Sequence, residues 1–135
     1  MKCAIGQIFN LEIEITGGTM YEKPIKGLIN EDINFKPKYY LQKFLKKILE
    51  EKESFIKAQQ ELFTKAGAIE KDGAFVIEPS KLEDGSVNPV IEDLNKQVND
   101  LLNDEITFEG IQFKVDDFDF KSESVYPVFM SVAFE

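Results

Sequence analysis

The hydrophobic pattern changes period along the chain. From Cys3 to Thr16, Ile5, Leu11, Ile13 and Ile15 alternate with Gln7, Glu12 and Glu14. That period of two predicts a half-buried strand, with a bulge or break where Ile8 and Phe9 disturb it near Asn10. Gly17-Gly18-Thr19 is a turn signal, and Ile25 to Ile29 reads as a short second strand. Residues 3–33 therefore read mainly as strand. The period then lengthens. Leu41, Phe44, Leu45, Ile48, Leu49, Phe55, Ile56, Leu62, Phe63 and Ala66 recur at three and four residues, the stripe of an amphipathic helix, with Lys52 and Gln59 interrupting it. Pro37 suits the first turn and Gly67 the stop, so a helix is expected over 37–67. A helix of ~30 residues measures ~45 Å, and one end is expected to project.

Lys71-Asp72-Gly73 is a hairpin-type turn before the apolar run Ala74 to Ile77, and Asp84-Gly85 a second turn within a loop. Asn88 followed by Pro89 is a capping residue and a first helical Pro. Ile91, Leu94, Val98 and Leu101 then form one narrow stripe, so a second helix is expected over 88–103, antiparallel to the first. Residues 105–115 return to alternation around Glu109-Gly110, as two short strands or one bulged strand. Ser122 or Ser124 is expected to cap a last short helix through Phe134, with Pro127 in its first turn. The pattern predicts an α+β fold in a single domain over 1–135. A long antiparallel helical hairpin (37–67 and 88–103) packs beside a small antiparallel sheet from 3–33 and 105–115, and a C-terminal helix closes the core.

Composition narrows the chemistry. All 16 basic residues are Lys, and the 135 residues include no His and no Trp. Without His, no Ser-His-Asp or Cys-His arrangement can form within the chain. Without Arg there is no bidentate fork for phosphate or a guanine edge, although Lys still neutralises phosphate as a point charge. Cys3 is the single Cys, which excludes an internal disulfide and argues against structural zinc. It reads as an ordinary strand residue rather than a reactive thiol. The N-terminus lacks a continuous apolar run, with Glu12 and Glu14 where a signal peptide would stay apolar. No stretch approaches the ~18 apolar residues of a membrane span. An intracellular setting with no membrane association is expected. A formal charge of −9 argues against direct nucleic-acid binding through a broad basic surface. It suits a soluble protein, or one that imitates nucleic acid toward a basic partner.

Three clusters could carry function. Asp116, Asp117 and Asp119 could ligate calcium or magnesium through carboxylate oxygens. The EF-hand pattern fails there, because Lys121 and Ser122 stand where a ligand and the turn Gly belong. The alternative is acids leading into the capped last helix, so neither a metal nor a cofactor is expected. Glu50, Glu51 and Glu53, mixed with Lys46, Lys47, Lys52 and Lys57, read as a solvated helix face. Twelve Phe and four Tyr are a heavy aromatic load. Tyr39-Tyr40 and the segment Tyr126, Phe129 and Met130 are candidates for a protein interface, where aromatics and Met are enriched.

One longer pattern goes beyond composition. Ile25-Lys26-Gly27-Leu28-Ile29-Asn30-Glu31 leads into Lys38-Tyr39-Tyr40-Leu41 and the charged helix. Asn88-Pro89, Leu101-Leu102, Asp116-Asp117-Phe118-Asp119-Phe120 and Tyr126-Pro127-Val128-Phe129-Met130 follow. Over residues 25 to 134 this resembles small uncharacterised proteins of tailed bacteriophages, notably those of Bacteroidetes-type hosts. The resemblance implies a setting, the host cytoplasm or the virion, and carries over no site residues. The expected function is non-enzymatic and works through protein contacts, as a virion component or head/tail assembly factor, with homo-oligomerisation expected. The alternatives are an acidic host-directed inhibitor that mimics nucleic acid or blocks a defence protein, and an enzyme using carboxylates and a divalent metal.

Overall fold

A computed structural model describes residues 1–119 and 122–134. Phe120 and Lys121, which the acidic motif includes, lie with Glu135 outside the described residues. The fold is α+β, with one long helix and small antiparallel sheets. The chain divides into two compact units, Met1–Lys52 with Glu105–Glu135, and Glu53–Asp104.

In the first unit, strand β1 (Lys2–Ala4) pairs antiparallel with β6 (Glu105–Thr107), Cys3 opposite Ile106. The N-terminal and 105–115 segments thus share a small antiparallel sheet, although the alternating residues Ile5 to Ile15 lie outside it. The strand expected through Thr16 does not continue. After a 3-10 turn at Ile5–Gln7, helix α1 runs Ile8–Thr16. Ile8, Leu11 and Ile15 are fully buried at helical spacing, and so is Glu14. Leu11-Glu12-Ile13-Glu14-Ile15 satisfies both periods, and long-range contacts of Glu14 decide between them. Strands β2 (Gly18–Met20) and β3 (Lys23–Ile25) form a hairpin through Tyr21 and Glu22, both at positive φ. The second strand ends at Ile25, and Leu28–Asn30 is a 3-10 turn instead. A side chain cannot be added at Gly27, because its Cβ would stand 2.5 Å from the Gly17 nitrogen. At that point the backbone after α1 lies against the backbone after β3.

Helix α2 (Phe35–Lys65) begins in this unit, with Leu41, Phe44 and Ile48 fully buried. The Lys52 ammonium donates to Glu12 at 2.7 Å, tying α2 to α1. Phe108, Ile111 and Phe113 enter the same core from the 105–115 segment. That segment is strand only over Glu105–Thr107. Beyond Gly110 it has no second strand, and Val115–Phe118 is a 3-10 turn. Helix α4 (Pro127–Phe134) closes the core with Phe129.

In the second unit the local signals hold. α2 ends where Ala68 N–H returns to the Phe63 carbonyl and Gly67 takes φ +88°. Strands β4 (Ile69–Lys71) and β5 (Ala74–Val76) pair through Asp72-Gly73, both at positive φ as this hairpin turn requires. Leu82 N–H bonds the Ser86 carbonyl across Asp84-Gly85. Helix α3 (Pro89–Leu102) starts at Asn88, whose side chain accepts from Val90 N–H at 3.1 Å. Among the described residues no helix is long and apolar enough to cross a membrane.

Candidate functional site

The C-terminal aromatic segment is anchored by two buried carboxylates. Glu14 on α1 accepts from Phe129 N–H at 2.8 Å and from Val128 N–H at 3.1 Å, so it caps α4 from a distant part of the chain. Neither Ser122 nor Ser124 takes that role. The Ser124 hydroxyl accepts from Lys26 N–H at 3.0 Å, and Ser122 donates to Glu31 at 2.7 Å. Glu31 is 2% exposed and also accepts from the Tyr126 phenol at 2.7 Å. The Tyr126 oxygen in turn accepts from Gly27 N–H at 3.1 Å. Burial, then the hydrogen bond to Glu31, pushes the Tyr126 phenol up to about 12.

These contacts correct the expected interface. Tyr126 and Phe129 are buried and belong to the core, where one phenol and one backbone amide bond buried carboxylates. Met130 is half-buried and lines a shallow depression of about 320 Å³ with Val125 and Pro127. Tyr39 is 48% exposed and Tyr40 half-buried, in edge contact at 5.5 Å with the Lys43 ammonium near both rings. Asp116 and Asp119 are exposed and Asp117 is half-buried, the first two acids of this cluster lying in a 3-10 turn rather than at the start of α4. Among the described residues no three acids, Cys or His are grouped to hold a metal ion.

Replacing Tyr126 by Phe is expected to cost about 2 kcal/mol, because Gly27 N–H and Glu31 each lose a buried partner. The phenol adds a pH signature. A folded value of about 12 above an unfolded value near 10 keeps full stability below the latter. Stability then falls as pH rises between the two. Urea titrations at rising alkaline pH should show this loss in the native protein, reduced in Tyr126→Phe. Cys3 is buried in β1, and burial, aided by Glu51, raises its thiol to about 11. Labelling by a maleimide at pH 8 is expected to be at least tenfold slower in the folded protein than in urea.

Two surface features remain, one in each unit. In the second unit only Phe55, Ile77 and Leu94 are buried apolar residues, whereas Ile56, Ile69, Leu82, Val87 and Val90 are each more than a third exposed. A cleft of about 260 Å³ there is lined by Ile56, Gln59, Gln60 and Phe63 of α2, with Gly73 and Phe75 of the β4–β5 hairpin. The spacing of 56, 59, 60 and 63 is one helix face. The spacing is legible in the sequence, but Gln59 reads there as an interruption of a core stripe. In the first unit a cavity of about 510 Å³ lies between residues 34–40 and 110–117. Pro37 and Ile111 give it an apolar floor, and the polar lining comes from Asn34, Lys36, Tyr40, Gln112, Lys114 and Asp117. No local motif signals this site, because its two sides are some seventy residues apart in sequence. Comparison with protein-family models, curated proteins and solved structures finds no match for this chain.

Proposed function

We propose that the chain is a non-enzymatic protein of a tailed bacteriophage that acts through protein contacts, as a virion component or a head/tail assembly factor. The phage setting rests on the sequence resemblance. The contact role rests on one observation, the apolar side chains that residues 53–104 leave at the surface beside the Ile56–Phe63–Phe75 cleft. Exposed apolar groups around a cleft gain free energy when a partner removes them from water. The reading includes an antiparallel hairpin of 37–67 with 88–103. It is supported by the stripe of α3, where Leu94 is buried and Ile91, Val98 and Leu101 are half-buried. It also includes self-association and a place in the host cytoplasm or the virion.

The test is affinity capture of the tagged full chain from infected cells, beside an Ile56→Glu/Phe63→Glu variant that keeps the native circular dichroism. Capsid, portal or tail proteins recovered with the native chain and lost with the variant support the reading. Equal recovery with both chains removes the cleft from it. The second reading, an acidic host-directed inhibitor, is favoured by the charge distribution. Residues 53–104 carry 11 Asp and Glu against 5 Lys, a net −6 of the chain's −9. Recovery of a host nuclease or defence protein instead would select it.

A further inference from the structure

The cavity of the first unit has a chemistry that the contact role does not use. Its lining carries Lys36 and Lys114 against Asp117, a local balance opposite to that of the acidic chain. Among the described residues, neither lysine has a carboxylate within 4.0 Å. The Asn34 and Gln112 amides and the Tyr40 hydroxyl also make no side-chain hydrogen bond among those residues. Five donor-bearing side chains from two distant segments therefore line one cavity without engaging each other.

The lining selects a ligand class. Two ammonium groups favour an anion and disfavour a metal ion. An apolar ligand would strip water from five polar groups and return no hydrogen bonds. A bare inorganic anion would leave most of about 510 Å³ unfilled and the floor of Pro37 and Ile111 unused. Two lysines are too few to hold a nucleic-acid backbone against a net charge of −9. We propose that this cavity binds a small organic phosphate carrying a flat polar ring, the chemistry of a nucleoside monophosphate. Lys36 and Lys114 take the phosphate as point charges, and Asn34 and Gln112 offer a donor and an acceptor each to the ring edge. Pro37, Ile111 and the Tyr40 ring supply the apolar contact, and the volume falls in the range of small-molecule sites. The inference is independent of the contact role.

The test is an amide NMR titration of the full 15N-labelled chain with adenosine 5′-monophosphate, adenosine, ribose 5-phosphate and inorganic phosphate. The nucleotide is expected to shift the amides of Lys36, Tyr40 and Gly110 to Lys114 at millimolar concentration or below. Adenosine or inorganic phosphate alone should bind at least tenfold more weakly. Both lysines are exposed, so Lys36→Glu/Lys114→Glu should leave the remaining spectrum unchanged and weaken nucleotide binding at least tenfold. Binding of ribose 5-phosphate as tight as that of the nucleotide would remove the ring from the proposal. No shift at these amides, equal binding of adenosine, or unchanged affinity in the double variant would overturn the site.

Discussion

Replacing Glu14 by Leu is expected to destabilise the first unit by about 4 kcal/mol. The leucine side chain fits a fully buried position, so the effect comes from what it leaves behind. Val128 and Phe129 N–H are among the first amides of α4 and have no carbonyl one turn earlier to bond. Each loses a charged acceptor, and a buried amide without a partner costs ~1–3 kcal/mol. Against a total stability of roughly 5–15 kcal/mol this is a large fraction. Glu14→Gln should cost less, about 1–2 kcal/mol, because its carbonyl oxygen still serves Phe129 while its NH2 faces Val128 N–H. The pH dependence separates charge from hydrogen bonding. Burial raises the Glu14 carboxyl above its ordinary value of 4.5, and the Phe129 and Val128 amides oppose this without cancelling it. The folded chain thus takes up this proton at higher pH than the unfolded chain. The contribution is fully present below the unfolded value and is lost as pH rises through the folded one. Glu14→Gln removes that slope. Urea unfolding followed by tyrosine emission reads both effects. All four tyrosines, Tyr21, Tyr39, Tyr40 and Tyr126, lie in the first unit, so the signal reports that unit alone.

Glu14 also shows where sequence pattern stops being sufficient. The elements that were legible depend on neighbours a few residues away. Asn88-Pro89 caps α3 through a bond spanning two residues, and Asp72-Gly73 turns a hairpin through its own φ angles. The apolar spacing of α2 likewise names its buried face, Leu41, Phe44 and Ile48. Over α1 the alternation predicts a strand, because it places Glu14 in solvent, whereas Glu14 is buried. Its partners are 114 and 115 residues away, and a buried carboxylate becomes acceptable only once they are in place. Tyr126 and Phe129 are buried where an interface is expected, for a related reason. Apolarity shows that a segment must be covered, and not whether the cover is a partner or the same chain. The close approach at Gly27 was hidden because Gly17-Gly18 reads as a turn, whereas the constraint is contact between two backbones.

Phe129→Ala is expected to cost about 4 kcal/mol in the same unit, with Phe129→Leu near 1–2 kcal/mol. Phe129 is fully buried, and its ring lies edge-on to Phe118 at 5.1 Å, Phe113 at 5.2 Å, Phe134 at 6.1 Å and Phe44 at 6.3 Å. Each such pair adds ~0.5–1.5 kcal/mol to the gain from burial, and four of them share one ring. Phe44 and Phe113 also touch each other at 5.9 Å, so deleting Phe129 opens a hole whose walls are already tied together. Such a site collapses poorly, which places the expected effect in the upper half of the range for core aromatics. Leu fills most of the hole and loses chiefly the ring contacts. Tyr39→Ala is the control, since a half-exposed ring with one edge contact to Tyr40 should cost less than about 1 kcal/mol. The series distinguishes the two roles the sequence allowed for this aromatic segment. A residue that faces a partner would leave the free chain's unfolding unchanged when truncated. A residue that holds α4 on α1 and α2 would shift the midpoint before any partner is present, and that is the result the geometry of Phe129 requires.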